Sequence, residues 1–125
     1  MRLAACVTLA VAATLATTAS AVRKPTEPES RAIEEAVQIT FGCSGCRWRA
    51  SDVRVSTADR RFAAARARGT RNGNPLQGAT VLLWRGLSKW AVISYASDHG
   101  ELGCGYVTRA VRRDLFGPYV LPCTE

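Results

Sequence analysis

Ala79-Thr80-Val81-Leu82-Leu83-Trp84 and Trp90-Ala91-Val92-Ile93-Ser94-Tyr95-Ala96, joined by Arg85-Gly86-Leu87-Ser88-Lys89, decide the fold of this chain. Both runs are rich in β-branched and aromatic residues, and the connector has an ordinary hairpin length. Each run is apolar on two faces: Leu82 and Trp84 oppose Val81 and Leu83, and Trp90 and Val92 oppose Ala91, Ile93 and Tyr95. Such strands belong in the middle of a sheet that is covered on both sides.

Working outward, Asp52-Val53-Arg54-Val55-Ser56 alternates as a half-buried strand, with the valines inward and Asp52, Arg54 and Ser56 outward. Ala58-Asp59-Arg60-Arg61 reads as a turn. Phe62 to Arg68 then sets Ala63, Ala65 and Ala67 on one face and Ala64, Arg66 and Arg68 on the other. Gly69 to Gln77, with Asn72-Gly73 and Asn74-Pro75, reads as the longest loop. Upstream, Thr26-x-x-Glu29 is a capping box with Pro28 in the first turn, followed by Ala32, Ile33, Ala36, Val37, Thr40 and Phe41 on one helical stripe and a stop at Gly42. Gly100 to Val107 is expected as an edge strand, and Arg109 to Leu115 as a short helix capped by Thr108. The fold class is therefore α+β: one N-terminal helix on a four- to five-stranded antiparallel meander, with a short C-terminal helix. In element order this layout resembles cystatin-like and NTF2-like domains. One helix cannot cover both sheet faces, so the second is left to the C-terminal segment through Phe116, Tyr119 and Val120, to a ligand in a concave pocket or to a second subunit, and a Cys104–Cys123 bridge tethering that segment favours the first.

The 125 residues suffice for one domain. Met1-Arg2, an Ala-rich apolar stretch from Leu3 to Leu15, and Ala19-Ser20-Ala21 read as a secretory signal peptide cleaved after Ala21, because the apolar run is shorter than a membrane span. The expected organisation is a signal peptide at 1–21, a flexible lead-in at 22–27 and a single domain at 28–125. The destination is the exterior or the periplasm and cell envelope, with no transmembrane anchor left after cleavage. Removing the leader takes away Cys6 and leaves Cys43, Cys46, Cys104 and Cys123, an even number suited to a disulfide framework in an oxidising compartment. Four cysteines allow three pairings. Proximity in sequence favours 43–46 with 104–123.

Val53 to Ala63, and Cys104-Gly105-Tyr106-Val107 through Ala110-Val111-Arg112-Arg113-Asp114-Leu115 to Cys123, are similar to stretches of small exported bacterial proteins, mostly actinobacterial, of uncharacterised function. The resemblance implies a structural Cys104–Cys123 disulfide and the helix-plus-sheet layout. It implies no catalytic residues, and Cys43-x-x-Cys46 is an addition peculiar to this chain.

The chemistry-bearing groups are few. Cys43-Ser-Gly-Cys46 has the spacing of a thiol-disulfide oxidoreductase, but the expected helix ends just before it, at the dipole end that disfavours a thiolate. It reads as a structural disulfide. One CxxC, two cysteines 19 apart and a lone His99 make no metal site, and no cofactor motif is present. Asp98-His99-Gly100-Glu101 sets a histidine between carboxylates, yet its composition is that of a solvated turn.

Charge and aromatics are the broader signals. Lys and Arg number 17 against 10 Asp and Glu, a formal net charge of +7. Arg60, Arg61, Arg66, Arg68, Arg112 and Arg113 are candidates for anion binding, and Trp84, Trp90, Tyr95 and His99 for a pocket on the sheet. The sparse aromatic interleaving of the basic segments argues against specific nucleic-acid binding. The reading that follows is an exported, non-catalytic binding module whose partner is an anionic envelope polymer or a protein. The alternatives are an NTF2-like pocket enzyme using His99 and an inhibitor of a secreted hydrolase.

Overall fold

The structure is a computed structural model, and it describes residues 22–97, 101–117 and 123. In chain order the elements are β1 (Val22–Arg23), α1 (Glu27–Phe41), β2 (Cys46–Ser56), β3 (Phe62–Arg71), β4 (Asn74–Pro75), β5 (Ala79–Arg85), β6 (Trp90–Ala96) and α2 (Arg109–Phe116). The fold is α+β. All the strands pair antiparallel in one six-stranded sheet of order β1-β2-β3-β5-β6, with β4 beside the end of β3. The short strands β1 and β4 only trim its margins, so the body is a four-stranded meander, within the four to five strands expected; β5 lies inside the sheet, but β6, expected in the middle, forms an edge.

Helix α1 begins where its chemistry dictates. Thr26 Oγ1 accepts from the Glu29 N–H at 3.3 Å, and Glu29 Oε1 accepts from the Thr26 N–H at 3.0 Å, completing the capping box. Ile33, Ala36 and Val37 are buried against Val55, Ala63, Ala65, Ala67, Val81, Leu83 and Trp90. The alanines of β3 form the floor of this core, and the helix backbone comes nearest to β2 and β6 on either side. On the opposite face, Val111, Leu115 and Phe116 of α2 and Leu102 bury Ala64 and Leu82. The second face is thus covered in part by the C-terminal helix, including Phe116 as expected; Tyr119 and Val120 lie outside the described residues. The sheet separates two cores.

Several elements depart from the sequence reading, each for a physical reason. Residues 22–27, expected as a flexible lead-in, carry β1, which pairs Val22 with Ser56 and Arg23 with Val55. Arg23 also forms a two-pronged ion pair with Glu29 at 2.8 and 2.7 Å. The strand expected at 52–56 begins at Cys46 and contains a bulge: Ser51 pairs with Arg66 but Arg54 pairs with Ala64, leaving one extra residue, and Asp52 takes φ +50°. At the far end of that strand Ser56, expected outward, is completely buried. Its hydroxyl donates to Asp114 Oδ2 at 2.6 Å, and the same oxygen accepts from the Thr57 N–H at 2.9 Å, which ties α2 to the end of β2.

The loop expected at 69–77 is instead the end of β3, a two-residue turn at Asn72-Gly73 and β4. A second bulge lies in β6, where Leu82 pairs with Ser94 and Leu83 with Val92. The extra residue, Ile93, packs in the α2 core, and the shift brings Tyr95 to the α1 face, on the same side as Trp90. Finally, the edge strand expected at 100–107 is not formed over the described residues 101–107, which make tight turns with Gly103 and Gly105 at φ +90° and +79°. Both disulfides pair as proximity favoured, Cys43–Cys46 and Cys104–Cys123, with Cα separations of 5.0 and 5.6 Å.

Candidate functional site

Strand alternation assigns the site. Cys46, Trp48 and Ala50 of β2 point into the α1 core, so Arg47 and Arg49 must project from the other face. On β3, Ala63, Ala65 and Ala67 point into the same core, so Arg66 and Arg68 project with Arg47 and Arg49. The register aligns them: Arg49 is directly opposite Arg68, Arg47 opposite Thr70, and Ser51 opposite Arg66. With two residues rising about 7 Å along a strand and neighbouring strands about 5 Å apart, four guanidinium stems root within one small rectangle. Helix α2 covers only the other end of this face, over Ala64 and Leu82, and leaves the arginine end open.

Among the described residues, Arg47, Arg49 and Arg68 make no ion pair. Like charges directly opposite on neighbouring strands repel, so the Arg49–Arg68 pair costs stability as it stands. Arg66 is held in place by two neutral acceptors, Thr80 Oγ1 at 3.3 Å and the Ser97 carbonyl oxygen at 3.4 Å. Two depressions flank the cluster. One of about 580 Å³ is lined by Glu34, Arg47, Arg49, Arg68 and Thr70. The other, of about 240 Å³, is lined by Arg66, Arg68, Thr80, Leu115 and Phe116 at the edge of α2. Arg68 borders both.

The candidate anion-binding set is therefore divided by the fold. Arg66 and Arg68 belong to the open basic face. Arg61 is ion-paired with Asp59 at 2.8 Å, which holds the Asp59 carboxyl below its usual range through the side-chain hydrogen bond from Arg61. Arg60 lies in the turn beside it. Arg112 is 3% exposed; its stem packs on Gly103 and its Nε donates to the Leu102 carbonyl oxygen at 3.0 Å, a structural role for an arginine expected to meet an anion. Arg113 is exposed on α2, away from this cluster in sequence and element. Arg47 and Arg49 join this face because β2 starts at Cys46 and not at Asp52, and Arg47-Trp48-Arg49 has the same period-two spacing as Arg66-Ala67-Arg68.

The expected sheet pocket does not converge. Trp90 is buried in the α1 core, and Tyr95 meets Phe41 edge-on at 5.0 Å on that same face. Trp84 pairs with Phe62 and faces the opposite side. His99, with Asp98 and Gly100, lies outside the described residues; Glu101 is exposed at the start of the turns. Cys43 and Cys46 bracket a turn immediately after α1, with the Cys46 N–H donating to the Cys43 carbonyl at 3.0 Å. Placed after the negative end of the helix dipole, a thiolate there would be disfavoured. No group of three or more metal-ligating side chains occurs among the described residues, and no helix there is long and apolar enough to cross a membrane.

Comparison with protein-family models, curated proteins and solved structures finds no match to this chain.

Proposed function

We propose that this chain is an exported, non-catalytic binding module whose ligand is an anionic envelope polymer, held on the open sheet face by Arg47, Arg49, Arg66 and Arg68. The observation that carries this reading is the Arg49–Arg68 cross-strand pair, set on an exposed face with no carboxylate bonded to either residue among the described residues. A repulsive pair of this kind becomes favourable once a polyanion bridges it, because arginine offers a planar fork of donors matched to phosphate, sulfate or carboxylate oxygens. The sheet beneath is rigid and Arg66 is already oriented, so little ordering cost remains on binding. Both disulfides support an oxidising destination, which agrees with the signal-peptide reading of residues 1–21. The helix-on-meander layout supports the likeness to cystatin-like domains, which the reading does not require.

The test is a salt titration of the exported protein's affinity for inorganic polyphosphate. Four phosphate contacts on a flexible chain give a slope of log K against log salt of about −3, and each removed contact flattens it by about 0.7. Arg47→Gln, Arg49→Gln and Arg68→Gln should each do so, while Arg113→Gln leaves the slope unchanged. Equal losses for Arg113→Gln and Arg49→Gln, or no binding at low salt, would overturn the reading.

A further inference from the structure

At the end of the sheet away from the Cys43–Cys46 disulfide, the β5–β6 hairpin ends in Arg85-Gly86-Leu87-Ser88-Lys89, closed by the Gly86 N–H on the Lys89 carbonyl at 3.1 Å. Leu87 sits at the tip with its side chain fully exposed. Trp84 is 40% exposed and leans over the turn: a Cβ on Gly86 would lie 3.0 Å from Trp84 Cζ3 and 3.1 Å from Cη2, so the indole rests on the glycine. Arg85 lies over the Trp90 ring at 6.0 Å on the other side of the strand. The neighbouring turn is joined to the tip through the Arg85 N–H and the Arg61 carbonyl at 2.7 Å, which brings Arg60 to the same end.

We infer that this tip is a membrane-docking element, seating Leu87 and Trp84 among the headgroups of an anionic lipid bilayer while Arg60, Arg85 and Lys89 meet lipid phosphates. An apolar side chain at the apex, an indole beside it and a collar of cations form the arrangement that suits the boundary between hydrocarbon and water. A bilayer is the occupant the geometry favours over a protein. Two apolar side chains on a narrow hairpin fall far short of the roughly 1,000 Å² that a stable protein interface buries. A fluid lipid surface needs no shape complementarity to accept them. The charge also fits: Arg61 is neutralised by Asp59, but Arg60, Arg85 and Lys89 make no ion pair among the described residues, and the Arg85 guanidinium lies over an aromatic face. This element is separate from the basic sheet face, which lies on β2 and β3.

The experiment is co-sedimentation of the exported protein with vesicles of equal parts phosphatidylcholine and phosphatidylglycerol, alongside vesicles of phosphatidylcholine alone. Binding is expected on the mixed vesicles and is expected to weaken with salt. Leu87→Asp should lower partitioning at least tenfold, and Arg85→Gln and Lys89→Gln about fivefold each. Tryptophan emission should shift to the blue on the mixed vesicles, and Trp84→Phe should remove that shift. Both Leu87→Asp and Lys89→Gln change exposed residues, and unchanged circular dichroism confirms that the variants are folded. The inference is overturned if Leu87→Asp partitions like the wild type, or if Trp84→Phe retains the shift. It is also overturned if binding is lost in Arg47→Gln/Arg49→Gln but not in Leu87→Asp, which would assign the lipid to the sheet face.

Discussion

Gly69 stands directly opposite Trp48 in the β2–β3 ladder, and the indole fills the space that a side chain would need. A Cβ on Gly69 would lie 2.5 Å from Trp48 Cδ2 and Cε2 and 2.8 Å from Cε3. Gly69→Ala therefore forces the ring to retreat by about 1 Å to regain ordinary carbon contact. The ring has little room to move: it is buried and packs on Phe41 at 4.9 Å between centroids, and Phe41 is itself held edge-on by Tyr95. Overpacking at such a site costs about 1–3 kcal/mol, while alanine restricts the unfolded chain and returns about 0.4–1 kcal/mol. The net loss is about 1–2 kcal/mol, which in a domain of this size lowers the melting temperature by about 5–10 °C. Thermal unfolding followed by near-ultraviolet circular dichroism reports both the stability and the aromatic packing. A Gly69→Ala protein that melts at or above the wild-type temperature with an unaltered near-ultraviolet spectrum would refute the packing argument.

Other perturbations test other parts of the fold. Hydrogen bonds from Arg23 hold the Glu29 carboxyl at about 2, below its ordinary 4.5, so the pair's contribution is complete above about pH 4.5 and is lost as pH falls toward 2. With Arg23 a third exposed the loss is about 1 kcal/mol, and urea unfolding at about pH 5 and pH 2.5 should show Arg23→Gln with a correspondingly flatter acid limb. Replacing Cys104 and Cys123 together by Ser should cost about 3 kcal/mol in the chain-entropy model, against about 2 kcal/mol for Cys43 and Cys46, whose ring is much smaller; chemical denaturation of the two double variants gives the order. Arg68→Glu should raise stability by about 0.2–1 kcal/mol, because it turns the Arg49–Arg68 repulsion into attraction, and should weaken polyphosphate binding at the same time. A loss of both stability and binding would instead give Arg68 a structural role.

The helix and the meander were legible because both are written in periodicity. Thr26 and Glu29 mark a start, Ile33, Ala36 and Val37 a stripe, and the alternating alanines of β3 two faces. What periodicity cannot carry is a change of phase. The bulge at Asp52 inserts one residue into β2, and the one at Ile93 does the same in β6, so Tyr95 exchanged faces relative to the simple alternation. The expected pocket of Trp84, Trp90 and Tyr95 is divided because a sheet has two sides: Trp90 is buried in the α1 core, while Trp84 faces the other side and is partly exposed. The basic site was half visible. Arg66 and Arg68 stand out within a dense run of arginines, whereas Arg47 and Arg49 precede the strand start expected at Asp52 and become partners only through cross-strand register. Arg112 shows the converse error, because a charged residue on a short helix reads as solvent-facing until the turns at 101–107 fold over its stem.

The partition of the interior by the sheet has a consequence for how the molecule opens. The core beneath α1 draws on all four long strands, whereas the one beneath α2 is closed by a single short helix, Leu102 and the Asp114 bonds to Ser56 and Thr57. Local unfolding follows the weaker set of contacts, so α2 can lift away and re-dock while the ladder from β2 to β6 stays intact. The Cys104–Cys123 bridge closes the segment that contains α2 into a loop and shortens the excursion it can make. Amide protons of Val111 and Arg112 should therefore exchange through a brief, reversible detachment, and those of Val55 and Val81 only when the whole domain unfolds.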